Sequence, residues 1–144
     1  MTSPSQSYWH TSYVLRSQAR QKRADAARAG AEILGNPPDL PENSLERLRD
    51  ILDNLDDPET VAKAREFAEW LDTEWYRALR RAHEMLGTDP SDEANRLVYQ
   101  RLVPWLDAIG DIRGIAEALN AARHLDIAAK SMLEMGDFAL DQGL

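Results

Sequence analysis

Residues 61–86 read VAKAREFAEWLDTEWYRALRRAHEML. Within them Val61, Ala64, Ala68, Leu71, Trp75, Ala78, Ala82 and Met85 follow one another at alternating spacings of three and four. On an α-helix that rhythm gathers all eight onto one face, and Phe67, Leu79 and Leu86 widen the stripe. Four of the eight seam positions are alanine, so a neighbouring helix can approach closely. A stripe of this length has to be covered by other elements, and similar stripes are available elsewhere in the chain. Leu45, Leu48, Leu52 and Leu55 repeat the rhythm before it; Ile115, Leu119, Ala122, Leu125, Ala129 and Met132 repeat it after.

Breaks separate these stripes. Gly35-Asn36-Pro37-Pro38-Asp39-Leu40-Pro41, Asp56-Asp57-Pro58, Gly87-Thr88-Asp89-Pro90 and Gly110-Asp111 interrupt the pattern. Asp57-Pro58 and Asp89-Pro90 place a capping carboxylate before a proline at the first helical position. Asn43 with Glu46 has the spacing of a capping box. Gly87 and Gly110 suit the left-handed residue that ends a helix. No alternating β-branched run occurs. The expected fold is therefore all-α: a small up-and-down bundle of about five helices, near 6–34, 43–55, 58–86, 90–109 and 111–135. Pro104, inside the fourth, predicts a kink or break by removing one backbone bond and crowding the carbonyl of Gln100. Between Arg16 and Ala31 the first helix offers only alanine and glycine as apolar content. It is therefore expected to protrude or to be stabilised by a partner.

Charge divides the chain in the same place. Residues 1–35 carry Arg16, Arg20, Lys22, Arg23 and Arg28 against Asp25 and Glu32, a balance of +3. The rest holds 12 basic and 23 acidic side chains, so the whole reaches −8. This predicts a basic, aromatic N-terminal arm (1–35) on an acidic helical body (36–144). A net charge of −8 argues against blanket binding to a polyanion but leaves room for one local patch. At 144 residues one domain is expected, and 43% hydrophobic residues suffice for a core. With no cysteine, disulfides, thiolate metal sites and cysteine nucleophiles are excluded. No signal peptide and no run of ~20 apolar residues is present, which predicts a cytoplasmic protein.

Little of the chain reads as chemistry. His10, His83 and His124 have neither a second histidine nor a paired carboxylate at metal-ligand spacing, and the Glu-x-x-His pattern of di-iron bundles is missing. Phosphate-cradling glycine loops and the G-x-S-x-G elbow are also missing. Asp111–Met132 lacks the glycine turn of a helix-turn-helix and reads as continuous helix. A non-enzymatic protein without cofactor or metal is expected.

The arm is the best candidate for a binding site. If residues 8–28 are helical, Arg16, Arg20 and Arg23 line one side, and Tyr13 and Trp9 extend that side toward the N-terminus; Tyr8, Lys22 and Arg28 add to the same segment. Guanidinium forks grip phosphate bidentately and aromatic rings stack on bases. Packing of the arm on its own acidic bundle or on a second copy stands as the alternative. Trp70 and Tyr76, about 120° to either side of the main seam by helical geometry, are either flanking core contacts or an interface patch.

The opening helix Ala19-Arg20-Gln21-Lys22-Arg23-Ala24-Asp25-Ala26-Ala27-Arg28, with the chain's size and bundle pattern, resembles the small helical subunits of CRISPR effector complexes. That resemblance implies a compact all-α, non-catalytic protein that contacts nucleic acid within a larger complex. The sequence reading is accordingly a helical subunit or adaptor with protein partners, docking through its arm on nucleic-acid backbone or an acidic protein surface, with self-association open. The competing reading is an acidic inhibitor or nucleic-acid mimic, in which Glu66, Glu69, Asp72 and Glu74 occupy a basic groove on a target.

Overall fold

The computed structural model describes residues 2–144. Its helices are α1 (Pro4–Gly35), α2 (Ser44–Asp53), α3 (Thr60–Leu86) and α4 (Asp92–Asp141), and the described residues contain no strand. The all-helical class is as expected, but there are four helices rather than five. The fourth and fifth expected helices are one rod of 50 residues, roughly 75 Å long. Gly110 does not end it. Ala108, Ile109, Ile112 and Ile115 are buried on either side of that glycine, and their burial outweighs the ~1 kcal/mol that glycine costs a helix. The helix also continues through Pro104, which sits on an exposed stretch of its surface.

Local chemistry explains most ends. Ser3 and Gln6 form a reciprocal capping box ahead of Pro4, each side chain accepting from the other's backbone N–H at 3.3 Å. Gly87 closes α3 with φ of 78°, which glycine alone adopts without cost. Ser91 rather than Asp89 caps α4, accepting from Ala94 N–H at 3.2 Å. Asp57 accepts from Glu59 N–H at 2.9 Å and so shapes the turn before α3. Asn43 takes a left-handed conformation and its side chain caps nothing, so the expected capping box at α2 does not form.

The expected protruding helix is the largest correction. α1 runs antiparallel along α4 over most of its length, and no other pair of helices packs so extensively. Buried residues of α1 recur every seven positions at Ser5, Ser12, Ala19, Ala26 and Ile33. Those of α4 do the same at Ala108, Ile115, Ala122, Ala129 and Gly136. Ser12 Oγ donates to the Ala129 carbonyl at 2.7 Å. A Cβ placed on Gly136 would lie 3.1 Å from the Ser5 carbonyl and 2.5 Å from the Trp9 ring. The two backbones are that close because nothing larger than a methyl or hydroxymethyl group stands between them along the outer half of the seam. Small residues bury little apolar area, but close approach supplies dispersion contacts along the whole line.

α3 also runs antiparallel to α4, with Trp75 donating to the Leu102 carbonyl at 2.9 Å and Asp72 paired with Arg113 at 3.7 Å. The main core lies where all four helices meet. There Phe67, Leu71, Leu48, Ile51, Ile109, Ile112, Ile115 and Leu119 are buried together with Ala26 and Ile33. Beyond that centre α4 has one companion at each end. Its N-terminal part is covered only by the end of α3, its C-terminal part only by the start of α1. The molecule is thus an elongated body with a two-helix arm at either end.

Candidate partner-binding surface

The register of α1 on α4 decides which of the predicted binding residues face solvent. Taking about 100° per residue from the Ser12 seam position, Arg16, Arg20 and Tyr13 fall on one flank of the hairpin, together with Trp9 and Arg23. The matching flank of α4, counted from Ala129, carries Lys130 and Arg123. Arg123, Lys130, Arg23 and Asp126 line a common surface cavity with the α2–α3 loop, confirming the side on which they stand. Lys22 and Arg28 point away from this flank, and Arg28 pairs with Asp25 one turn earlier at 3.6 Å.

Two of the predicted residues are engaged within the fold. Arg23 is only 18% exposed and joins three elements. Its guanidinium bonds Asp126 of α4, reaches Asp56 after α2 at 3.3 Å, and donates to the Leu55 carbonyl at 3.4 Å. Trp9 is half-buried over Gly136, with its indole N–H donating to Asp137 at 3.1 Å. Tyr8 is half-buried as well. Tyr13 remains 64% exposed.

What stays available is a set of four cations on the same flank as the exposed Tyr13 ring. Arg16 and Arg20 come from α1, Arg123 and Lys130 from α4. Among the described residues none of the four is paired with a carboxylate; Arg20 only donates to Ser17 at 3.2 Å. Sequence reading singled out the α1 half and missed the α4 half. The signal was present: Arg123 and Lys130 each follow a small seam residue, Ala122 and Ala129, just as Tyr13 and Arg20 follow Ser12 and Ala19. Asp126 lies between Arg123 and Lys130 on α4 but is taken up by Arg23, and Asp56 and Asp57 line the same cavity.

The other predicted residues lie elsewhere. Trp70 is half-buried on α3, stacked near Phe67 at 6.3 Å and covered by the Arg47 guanidinium at 4.8 Å. Tyr76 is largely exposed and meets Trp75 edge-on at 5.0 Å. Of the carboxylates in the competing reading, Glu66 and Glu69 are exposed, whereas Asp72 pairs with Arg113 and Glu74 with Arg77 at 2.8 Å. Among the described residues no group of three or more His, Asp or Glu side chains is placed to hold a metal ion. Among the described residues no helix is long and apolar enough to cross a membrane.

Comparison with known proteins adds no relative. No family model matches the chain, and no curated protein or solved structure matches it significantly.

Proposed function

We propose that this chain is a non-catalytic helical subunit of a larger assembly and that it docks on nucleic-acid backbone through the cationic flank of the α1/α4 hairpin. The observation that carries the reading is the convergence of Arg16, Arg20, Arg123 and Lys130, without carboxylate partners, in a chain of net charge −8. Four cations held on one flank give an otherwise net-acidic chain a local surface for polyanion contact. Two of the four are arginines on a single helix one turn apart, which suits bidentate grip on successive phosphates. Tyr13 offers a stacking surface beside them.

The test is a salt series with labelled single-stranded RNA and duplex DNA. The intact protein should bind with affinity that falls as salt rises, by ~0.7 to 0.9 in log–log slope per phosphate contacted. Replacing Arg16, Arg20, Arg123 and Lys130 by glutamine should abolish binding and leave helicity intact. The same change at Lys22 and Arg28, off the flank, should have little effect. Absence of binding at low salt by the intact protein would overturn the reading and favour the acidic-inhibitor alternative.

A further inference from the structure

The two arms of the molecule expose apolar side chains whose charged surroundings are of opposite sign. At the α3 end, Ala78, Ala82, Met85, Leu86, Leu97, Val98 and Leu102 line a groove between α3 and α4 with a volume of about 370 Å³. Met85 and Leu97 form its lips, Met85 being 88% exposed. The charged residues that line it are Arg81 and Arg101, and no carboxylate does. Arg101 reaches Asp39 at 3.3 Å on the open surface, while Arg81 has no carboxylate partner among the described residues. In a chain with 25 acidic residues, an apolar groove bordered only by arginines selects an acidic occupant.

The opposite arm supplies that chemistry. α4 runs past the start of α1, so that Leu140, one turn after the seam residue Gly136, has no helix to face and stays exposed. Phe138, two residues earlier and so on the opposite side of the helix, is 67% exposed. Residues 134–141 carry Glu134, Asp137 and Asp141 and no basic side chain. This end is therefore an acidic helix tip with one apolar anchor, Leu140, on the side that carries Asp137 and Asp141. A helix set into an apolar groove is a recurrent mode of recognition, and the floor alanines Ala78 and Ala82 leave room for a close approach.

A single molecule cannot make this contact with itself. Leu97 and Leu140 sit on the same helix, separated by roughly 65 Å of its length at 1.5 Å per residue. We propose that the C-terminal end of α4 in one copy docks into the α3/α4 groove of the next, giving a head-to-tail contact between copies of this chain. Such a contact joins two different surfaces, so it leaves one of each free and extends into a chain or closes into a ring. It uses none of Arg16, Arg20, Arg123 or Lys130, so its failure and that of the nucleic-acid reading are separable.

Sedimentation velocity of the full chain over a rising concentration series tests it. The intact protein should pass from monomer to dimer and then to larger species. Leu97→Asp in the groove and Leu140→Asp at the tip, both exposed positions that leave the circular dichroism spectrum unchanged, should each hold the protein monomeric. Mixed together they should give a one-to-one pair that grows no further, because one variant keeps a working tip and the other a working groove. Arg81→Glu should weaken association, and Asp141→Arg on the second molecule should restore it. A protein that remains monomeric throughout overturns the proposal. So does a mixture of the two aspartate variants that fails to pair, since two-fold self-pairing through one surface would behave in that way.

Discussion

Gly110 and Gly136 lie on the same helix, and the same substitution should act on them with opposite sign. A Cβ on Gly110 meets nothing within 4 Å. Gly110→Ala should stabilise the protein by ~0.5 to 1 kcal/mol through helix propensity and a less flexible unfolded chain. At Gly136 the added methyl runs into the Trp9 ring at 2.5 Å, and that ring is fixed by its bond to Asp137. Overpacking of this kind costs ~1 to 3 kcal/mol, more than the propensity returns, so Gly136→Ala should lower stability. Thermal or denaturant unfolding of the two variants reads both signs. Arg23 makes a related point: as a sequence position it is one more cation in a basic run, and only the fold shows that it is spent on Asp126 and Asp56.

Both α1 and α3 were legible as helices, but the buried face was legible only in the first half of α3, where Val61 to Leu71 are covered, and not in α1; the difference is the size of the side chains. Val61, Phe67 and Leu71 announce a buried face through apolar bulk. Ser5, Ser12, Ala19 and Ala26 bury a face through the lack of it, and a reading that weighs hydrophobicity passes over them. What identifies such a seam is the strict seven-residue recurrence of small residues on both helices. The break expected at Gly110 fails for a complementary reason: turn chemistry acts locally, whereas the isoleucines around it are held by two other helices. This gives a test in which hydrophobic intuition is inverted. Ala19→Leu, which adds apolar surface to a polar helix, should destabilise by ~1 to 3 kcal/mol because it forces the helices apart. Limited proteolysis should then cut within α1 first.

At the scale of the whole molecule, stability is concentrated in the middle. α1 and α3 both flank the centre of α4, with α2 completing the core between them, and one companion covers each end. Amide exchange should accordingly be slowest from Ile109 to Leu119 and faster by an opening free energy lower by at least ~2 kcal/mol near residues 92–100 and 133–141. Equal protection along the whole of α4 would contradict the two-arm description. The pairing of α1 with the far half of α4 also has a consequence for how the chain is made. Ser12 and the Ala129 carbonyl it bonds are 117 residues apart, so at ~5 to 20 residues per second the ribosome keeps α1 waiting for ~6 to 23 s before its mate exists. A leucine-lined helix left alone for that interval would be a target for chaperones and for its neighbours on the polysome. One lined with serine and alanine and crowned with arginine stays solvated, and becomes adhesive only when a surface shaped to meet it at close range arrives.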